Sequence, residues 1–497
     1  MSTDSKKIRL NFIFGLFGQA VTLAIGLLLP RLFIMSYGSE VNGFINSVNQ
    51  VFVYVALLEA GVGSASLQAL YAPVGLGDKN KINGILSATN KFYKKTAWIY
   101  LTLMTVLSFV YPLTLKTTLN YWLMVGLILL IGGGGVLAYF FQAKYKLLLS
   151  VDGKDYVNSA ISTGQQVLLS LGKAILLLCG FNVLVVQSVY LLLNATQAII
   201  YQAYIKHKYG WIDLKVPPDT QAISQKNSVL IHQISTLIFN NTDVLLLTFF
   251  CDLKSASIYA LYKNFINMIG MLVSNFANSV NFKLGQSYHN DREEFLKLHN
   301  MYETIHVTIT FVLCTVAYIF FAPFLTLYTA GMDTNYLLKY LPLLVIIIEI
   351  LSYARMPIQN VISYAGHFKQ TQWRSLAEAI INLGSSIILV TYFGIYGVLL
   401  GTVIALLYRI NDVIFYSNHR LLKRSVWKSY KLWLLNIVFS VAIVCAAHWI
   451  PFPSSNYFGL IGSAAVVCII VLPMQLLVNF LANRDARKYV LKIIKKS

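Results

Sequence analysis

Apolar runs of roughly twenty residues, long enough to cross a hydrocarbon core as a helix, follow one another along almost the whole sequence. Short segments rich in lysine and arginine separate them. Lipid offers no water to the backbone, so each run must satisfy its own N–H and C=O groups, which a helix does. The composition agrees: 57% of residues are hydrophobic, only 12% are charged, and the mean hydropathy is +0.64. The expected fold class is an all-α polytopic membrane protein.

Fourteen spans are expected, starting near Asn11, Ile45, Thr96, Leu119, Tyr156, Val183, Asn227, Ile258, Glu303, Tyr340, Ser375, Ile395, Leu432 and Tyr457. With the N-terminus placed in the cytoplasm, 31 of the 39 basic residues fall in inner segments. The outer loops hold Lys116, Lys254 and Lys339. A missed or added span would scramble this alternation, so both termini are expected to be cytoplasmic in an inner, or cytoplasmic, membrane. The start "MSTDSKKIRLNF" reads as a retained first helix, because its apolar run is too long for a signal peptide and no A-x-A site closes it.

Several function classes drop out. The net charge of +20 is dispersed in clusters between spans, without the continuous basic face that nucleic acid needs. Cys179, Cys251, Cys314, Cys445 and Cys468 form no CxxC pair and read as packing residues. The loops are too short to fold as a soluble catalytic domain, and no G-x-x-x-x-G-K-[ST] occurs. The eight histidines show no HExxH spacing, so no metal or cofactor is expected. "GGGG" at Gly132–Gly135 lies mid-span with no Lys-Ser/Thr after it, and reads as close packing or a hinge. The expectation is a transporter without enzymatic activity.

A faint internal repeat sets "LGKAILLLCGF" from Leu171 on "LGSSIILVTYF" from Leu383. It fits two six-helix halves in the same orientation, one of the known transporter plans. The expected domains are a six-helix lobe over 1–215, a second over 216–425, and a helix pair with a basic tail over 426–497.

Several stretches resemble the polysaccharide-transporter (Wzx-type) branch of the MOP flippase superfamily. They are "LPRLFIMSYGSEVNGF", "LLEAGVGSASLQALYAP" followed by "DKNKI", "NNTDVLLLTFF" followed by "SIYALY", and "LGSSIILVTYFGIYGVLLGT". Their order and spacing, over roughly residues 9 to 425, carry the likeness more than any single match. The resemblance implies two pseudo-symmetric six-helix bundles of MOP/MATE type around a partly cationic cavity. It implies a flippase that moves a polyprenyl-pyrophosphate-linked oligosaccharide by alternating access, for capsule, exopolysaccharide or O-antigen-like synthesis. Its implied partners are the bilayer, that lipid-linked sugar, and a glycan polymerase and glycosyltransferases of the same pathway. A cation-coupled drug or metabolite antiporter of the same superfamily is the first alternative. A membrane glycan polymerase or ligase is the second, although a long outer loop of the kind such enzymes commonly carry is missing.

Charges inside the spans supply the candidate site, because an ionisable group at the helix centre costs about 2.5–3.5 kcal/mol and usually faces a cavity or a partner. Arg31 directly follows Pro30, near the outer boundary of the first span. With Lys263 and Arg355 it could present cationic donors to an anionic headgroup at different depths. The opposing reading is snorkelling for Arg31 and neutralisation of nearby carboxylates for the other two. Glu349, Asp243 and Glu59 are the coupling-ion candidates, each weighed against a structural role: pairing with Lys263 or Arg355, a bond from Asn240, and pairing beside the small residues of "AGVG". Arg409 and Asp412 stand at i,i+3 and read as a structural pair, and Glu378 and Lys173 as structural too.

Overall fold

The computed structural model describes residues 3–59, 62–221, 226–452, 456–483, 485–487 and 489, and among them every regular element is a helix. In chain order the helices are α1 (Thr3–Val55), α2 (Val62–Leu76), α3 (Lys79–Val110), α4 (Tyr121–Leu137), α5 (Ala143–Val151), α6 (Asp155–Leu178), α7 (Val183–Lys208) and α8 (Lys226–Phe250). Then come α9 (Leu253–Asn290), α10 (Arg292–Tyr328), α11 (Leu341–Tyr353), α12 (Met356–Tyr364), α13 (Phe368–Phe393), α14 (Ile395–Tyr416), α15 (Trp427–Ala447) and α16 (Tyr457–Ala482).

Ten helical segments among the described residues are long and apolar enough to cross a membrane. The expected spans near Asn11, Ile45, Asn227 and Ile258 fall outside these ten, on α1, α2, α8 and α9. The described residues of α8 include a shorter apolar helix, Leu237–Phe250. α9 is more polar, with Lys263 and asparagines at 264, 267, 275, 278 and 281. Elsewhere the usual arrangement of a soluble protein is inverted, and large apolar side chains face outward: Phe458 is 90% exposed, and Trp373, Ile388 and Ile469 are exposed as well. Outward apolar faces on this scale require a lipid environment.

Local sequence sets the element ends. Asp78, Asn120, Asn182, Asp291 and Asn456 each cap a helix by accepting from backbone N–H groups of its first turn. The path of α1 runs through Pro30 and breaks instead at Gly38, whose φ of 82° favours glycine. α13 and α14 turn on Gly394 at φ 55°, which lets the two helices pack along their length. The tenth expected span divides into α11 and α12 at Ala354–Arg355, where Pro357 follows and cannot donate into the ladder.

The chain forms two compact units, Met1–Ala260 and Leu261–Ser497. In the first, α1 packs against α6 and α8, α2 against α3 and α5, and α4 lies between α3 and α7. One of its cores holds Phe44, Val48, Tyr111, Leu127 and Val186, and another holds Leu70, Leu86, Leu149 and Tyr201. The four glycines of α4 serve close packing. A Cβ at Gly134 would lie 2.5 Å from the Tyr190 ring, and one at Gly135 would lie 2.5 Å from the Tyr100 hydroxyl. In the second unit α10 packs against α11, α15 and α16, and α11 against α14.

Candidate functional site

Each unit holds three of the six candidate residues, on different elements. In the first unit, Arg31 is half-buried on α1, one turn beyond Leu27 and ahead of the break at Gly38. Glu59 ends a short 3-10 turn, Ala56–Glu59, and its Oε1 accepts from the Tyr93 hydroxyl at 2.7 Å. Tyr139 donates to the same carboxylate. Asp243 is buried in α8, and its Oδ2 accepts from the Tyr259 hydroxyl of α9 at 2.5 Å. Next to it Thr242 meets the Tyr54 hydroxyl at 2.6 Å. Both candidate acids of this unit are thus bonded by tyrosine hydroxyls.

In the second unit the break in the tenth span places Arg355 between α11 and α12. A helix interrupted inside a membrane frees carbonyls that need donors. One is Tyr353 O, which Pro357 cannot pair, and His306 Nε2 of α10 donates to it at 3.0 Å; His299 Nε2, also buried on α10, donates to Pro357 O in the first turn of α12 at 3.2 Å. Arg355 Nη1 then reaches Glu378 Oε1 of α13 at 2.8 Å. Glu378 also takes Arg409 Nε of α14 at 3.2 Å on its other oxygen. Arg409 continues to Asp412 Oδ2 at 2.9 Å and to Ser375 Oγ at 3.0 Å. Asp412 is completed by Arg374, whose guanidinium stacks over the Tyr416 ring at 4.9 Å. Three guanidiniums are held on two carboxylates, which leaves the network with one surplus positive charge.

Glu349 stands apart from that network, although it is six residues from Arg355. It is 92% buried, and its Oε2 makes no hydrogen bond. The charge that acts on it is the ammonium of Lys263, from α9. Arg355 is given a different carboxylate, that of Glu378. Among the described residues no group of three or more His, Cys, Asp and Glu side chains could hold a metal ion.

Two polar clusters escaped the sequence reading. Arg424, grouped there with the inner basic segments, turns inward to Glu303 and Asn300, with its Nε on Asn418 Oδ1 at 2.6 Å. Ser429 Oγ donates to the other Glu303 oxygen at 2.7 Å. Farther along α10 a ladder of amides ties in α15 and α16. Asn479 Nδ2 donates to Thr308 Oγ1 at 2.8 Å, Gln475 Nε2 to Asn436 Oδ1 at 2.6 Å, and Asn483 Nδ2 to Thr304 Oγ1 at 3.0 Å. The signal for the ladder was present, since Gln475, Asn479 and Asn483 recur every fourth residue on a helix that is otherwise apolar.

The arrangement of helices matches solved membrane transporters over nearly the whole chain. The lipid II flippase MurJ in an inward closed conformation aligns with a TM-score of 0.67 and 16% identity, over 95% of this chain and 99% of that one. This is the fold of the MOP transporters. An inward-facing multidrug resistance MATE family transporter of the MOP superfamily aligns with a TM-score of 0.65 and 16% identity, over 82% of this chain and 99% of that one. A MOP superfamily transporter from Pyrococcus furiosus, described as having a binding pocket of reversed polarity, aligns at 0.53 and 16% identity, over 86% and 98%. No protein-family model matches the chain, and no curated protein matches it. At these identities the likeness is one of fold, and the site must be argued from its own residues.

Proposed function

We propose that this protein is a flippase of the polysaccharide-transporter type, moving a polyprenyl-pyrophosphate-linked oligosaccharide across the cytoplasmic membrane by alternating access. Residues 1–215 and 216–425 would be its two lobes, and 426–497 an added pair. The observation that carries this reading is the surplus of cationic groups within the second unit: Arg355, Arg374 and Arg409 on two carboxylates. An antiporter for cationic drugs has no use for such a surplus, whereas a pyrophosphate needs it. The solved lipid II flippase supports the same choice, and it is matched over a larger share of this chain than the MATE transporter.

In this reading Arg31, Lys263 and Arg355 contact the anionic headgroup, and Glu349, Asp243 and Glu59 are the coupling candidates. The test is deletion of the gene, followed by mass spectrometry of undecaprenyl-linked oligosaccharides and assay of surface polysaccharide. A finished lipid-linked repeat should accumulate while the surface polymer disappears. Unchanged glycans with a gain in sensitivity to cationic drugs would instead establish the antiporter.

A further inference from the structure

A cleft runs along α15 in the second unit. α15 packs on α10 and α16, while α11 packs on α10 and α14. Between α15 on one side and α11 and α14 on the other lies a cavity of about 930 Å³. Its walls are apolar, with Ile346 and Ile350 from α11, Leu407 from α14, and Leu434, Ile437 and Val441 from α15. Leu407, Leu434, Ile437 and Val441 are also exposed, so the cleft opens sideways onto the face that meets hydrocarbon. A second cavity, of about 670 Å³, shares Tyr318, Val444 and Cys445 with the first and continues it to Lys339 and His448.

The two ends of this groove differ in charge. Where α15 begins, the lining side chains Asn411, Trp427 and Tyr430 are uncharged. Where α15 ends, the lining includes Lys339 and His448. The Lys339 ammonium lies over the neutral ring of Tyr340, 5.2 Å from its centroid, a contact that orients the charge without neutralising it. From Tyr430 to His448 the helix advances about 27 Å, so the groove runs nearly the full depth of a hydrocarbon core of about 30 Å. A long apolar trough with a cation at one mouth matches a lipid with an anionic head.

We propose that the groove holds one anionic phospholipid of the bilayer, its headgroup phosphate on Lys339 and His448 and an acyl chain along Val444 and Val441. The bilayer reaches the cleft sideways, so such a lipid enters without passing through the transporter. Apolar walls favour hydrocarbon over water. At the mouth, a phosphate accepts charge-assisted hydrogen bonds from the lysine ammonium. A phospholipid chain spans about half of the hydrocarbon core, which from His448 ends near Ile437, leaving Leu434 beyond its reach. The wedged chain joins α15 to α11 and α14, so its binding stabilises the fold by mass action.

The test offers phosphatidylglycerol and phosphatidylcholine in equal amounts to the full chain, purified in detergent and stripped of lipid. Native mass spectrometry reads which lipid is retained. Wild type should retain a single phosphatidylglycerol in preference to phosphatidylcholine by about fivefold, the contribution of one lysine near a membrane surface. Lys339→Gln combined with His448→Gln should bring that ratio close to one. Val444→Trp should lose the bound lipid, whereas Leu434→Trp should keep it. Phosphatidylglycerol should also raise the melting midpoint of wild type more than that of the double variant, whose own melting transition shows that it is folded. Equal retention of the two lipids by wild type, or a preference that survives the double change, overturns the proposal. Displacement of phosphatidylglycerol by undecaprenyl phosphate at equal concentration, abolished by Leu434→Trp, also overturns it and makes the groove a site for a long isoprenoid chain.

Discussion

Glu378 is the residue on which the charged network of the second unit turns. Among the described residues it is the one carboxylate that touches both Arg355 and Arg409, and it is 93% buried. A buried ion pair adds little over well-packed apolar residues, but removing one partner strands a charge at a cost of about 3–5 kcal/mol. Glu378→Ala should therefore lower the thermal unfolding midpoint in detergent far more than Lys297→Ala, whose pair with Glu293 lies at an exposed helix start. Glu378→Met combined with Arg355→Met should recover part of that loss, since Arg409 keeps Asp412.

Glu40, just after the Gly38 break, shows a pH-dependent version of the same logic. Burial alone would raise its pKa. Hydrogen bonds from Thr117 and Thr118, with the charge of Lys254, outweigh that and hold the carboxyl below its usual value. Thr118 contributes twice, through its N–H at 2.9 Å and its hydroxyl at 2.7 Å. A depressed folded-state pKa stabilises above the unfolded value of 4.5, and that stability is lost as the pH falls through the folded value. Melting curves from pH 7 down to pH 3 should show wild type losing a stabilisation that Glu40→Gln never has. The two proteins should converge at the acid end.

At the scale of elements, α15 and α16 are held to α10 by hydrogen bonds as well as by an apolar cluster of Val312, Val316, Phe320, Leu460 and Val471. Asn479 alone reaches Thr308 and Asn436, and Gln475 shares the same Asn436 oxygen. Inside a membrane the hydrophobic effect does not drive helices together, so such bonds, at roughly 0.6–1.7 kcal/mol each, together with close packing, decide the contact. Asn479→Leu should cost about 1–2 kcal/mol in reversible unfolding. The double variant with Asn436→Leu should cost less than the sum of the single changes, because the two side chains share one network. The broken tenth span is a second element-scale device. The freed Tyr353 carbonyl is covered by His306, and His299 donates to Pro357 O just beyond the break, so these histidines, which carry no metal-binding spacing, have a role as backbone donors.

For the molecule as a whole, the alternation of basic segments is itself testable. Single cysteines replacing Lys116 or Lys339 in a cysteine-free background should react with a membrane-impermeant maleimide from outside intact cells. Cysteines replacing Lys206 or Arg420 should react only after permeabilisation. The reverse pattern would overturn the cytoplasmic placement of both termini and with it the direction of transport. The fourteen-span count belongs to the same test, since each added or lost span exchanges the sides of everything after it.

The sequence by itself determined the fold class and the polytopic helical architecture, and it showed which charged residues lie within the spans. Length and hydropathy act locally, and a bilayer turns each apolar run into a helix whatever its neighbours are. It also foresaw the Arg409–Asp412 pair, because i,i+3 neighbours meet on any helix. Only the tertiary structure decided which carboxylate neutralises which cation. Arg355 went to Glu378 rather than to Glu349, although Glu349 is far nearer in sequence, because α11 ends between them and α13 brings Glu378 to the break. Arg424 left the inner basic series for Glu303 for the same kind of reason. Charges pair through space across helices, and helix packing sets those distances without leaving a period in the sequence.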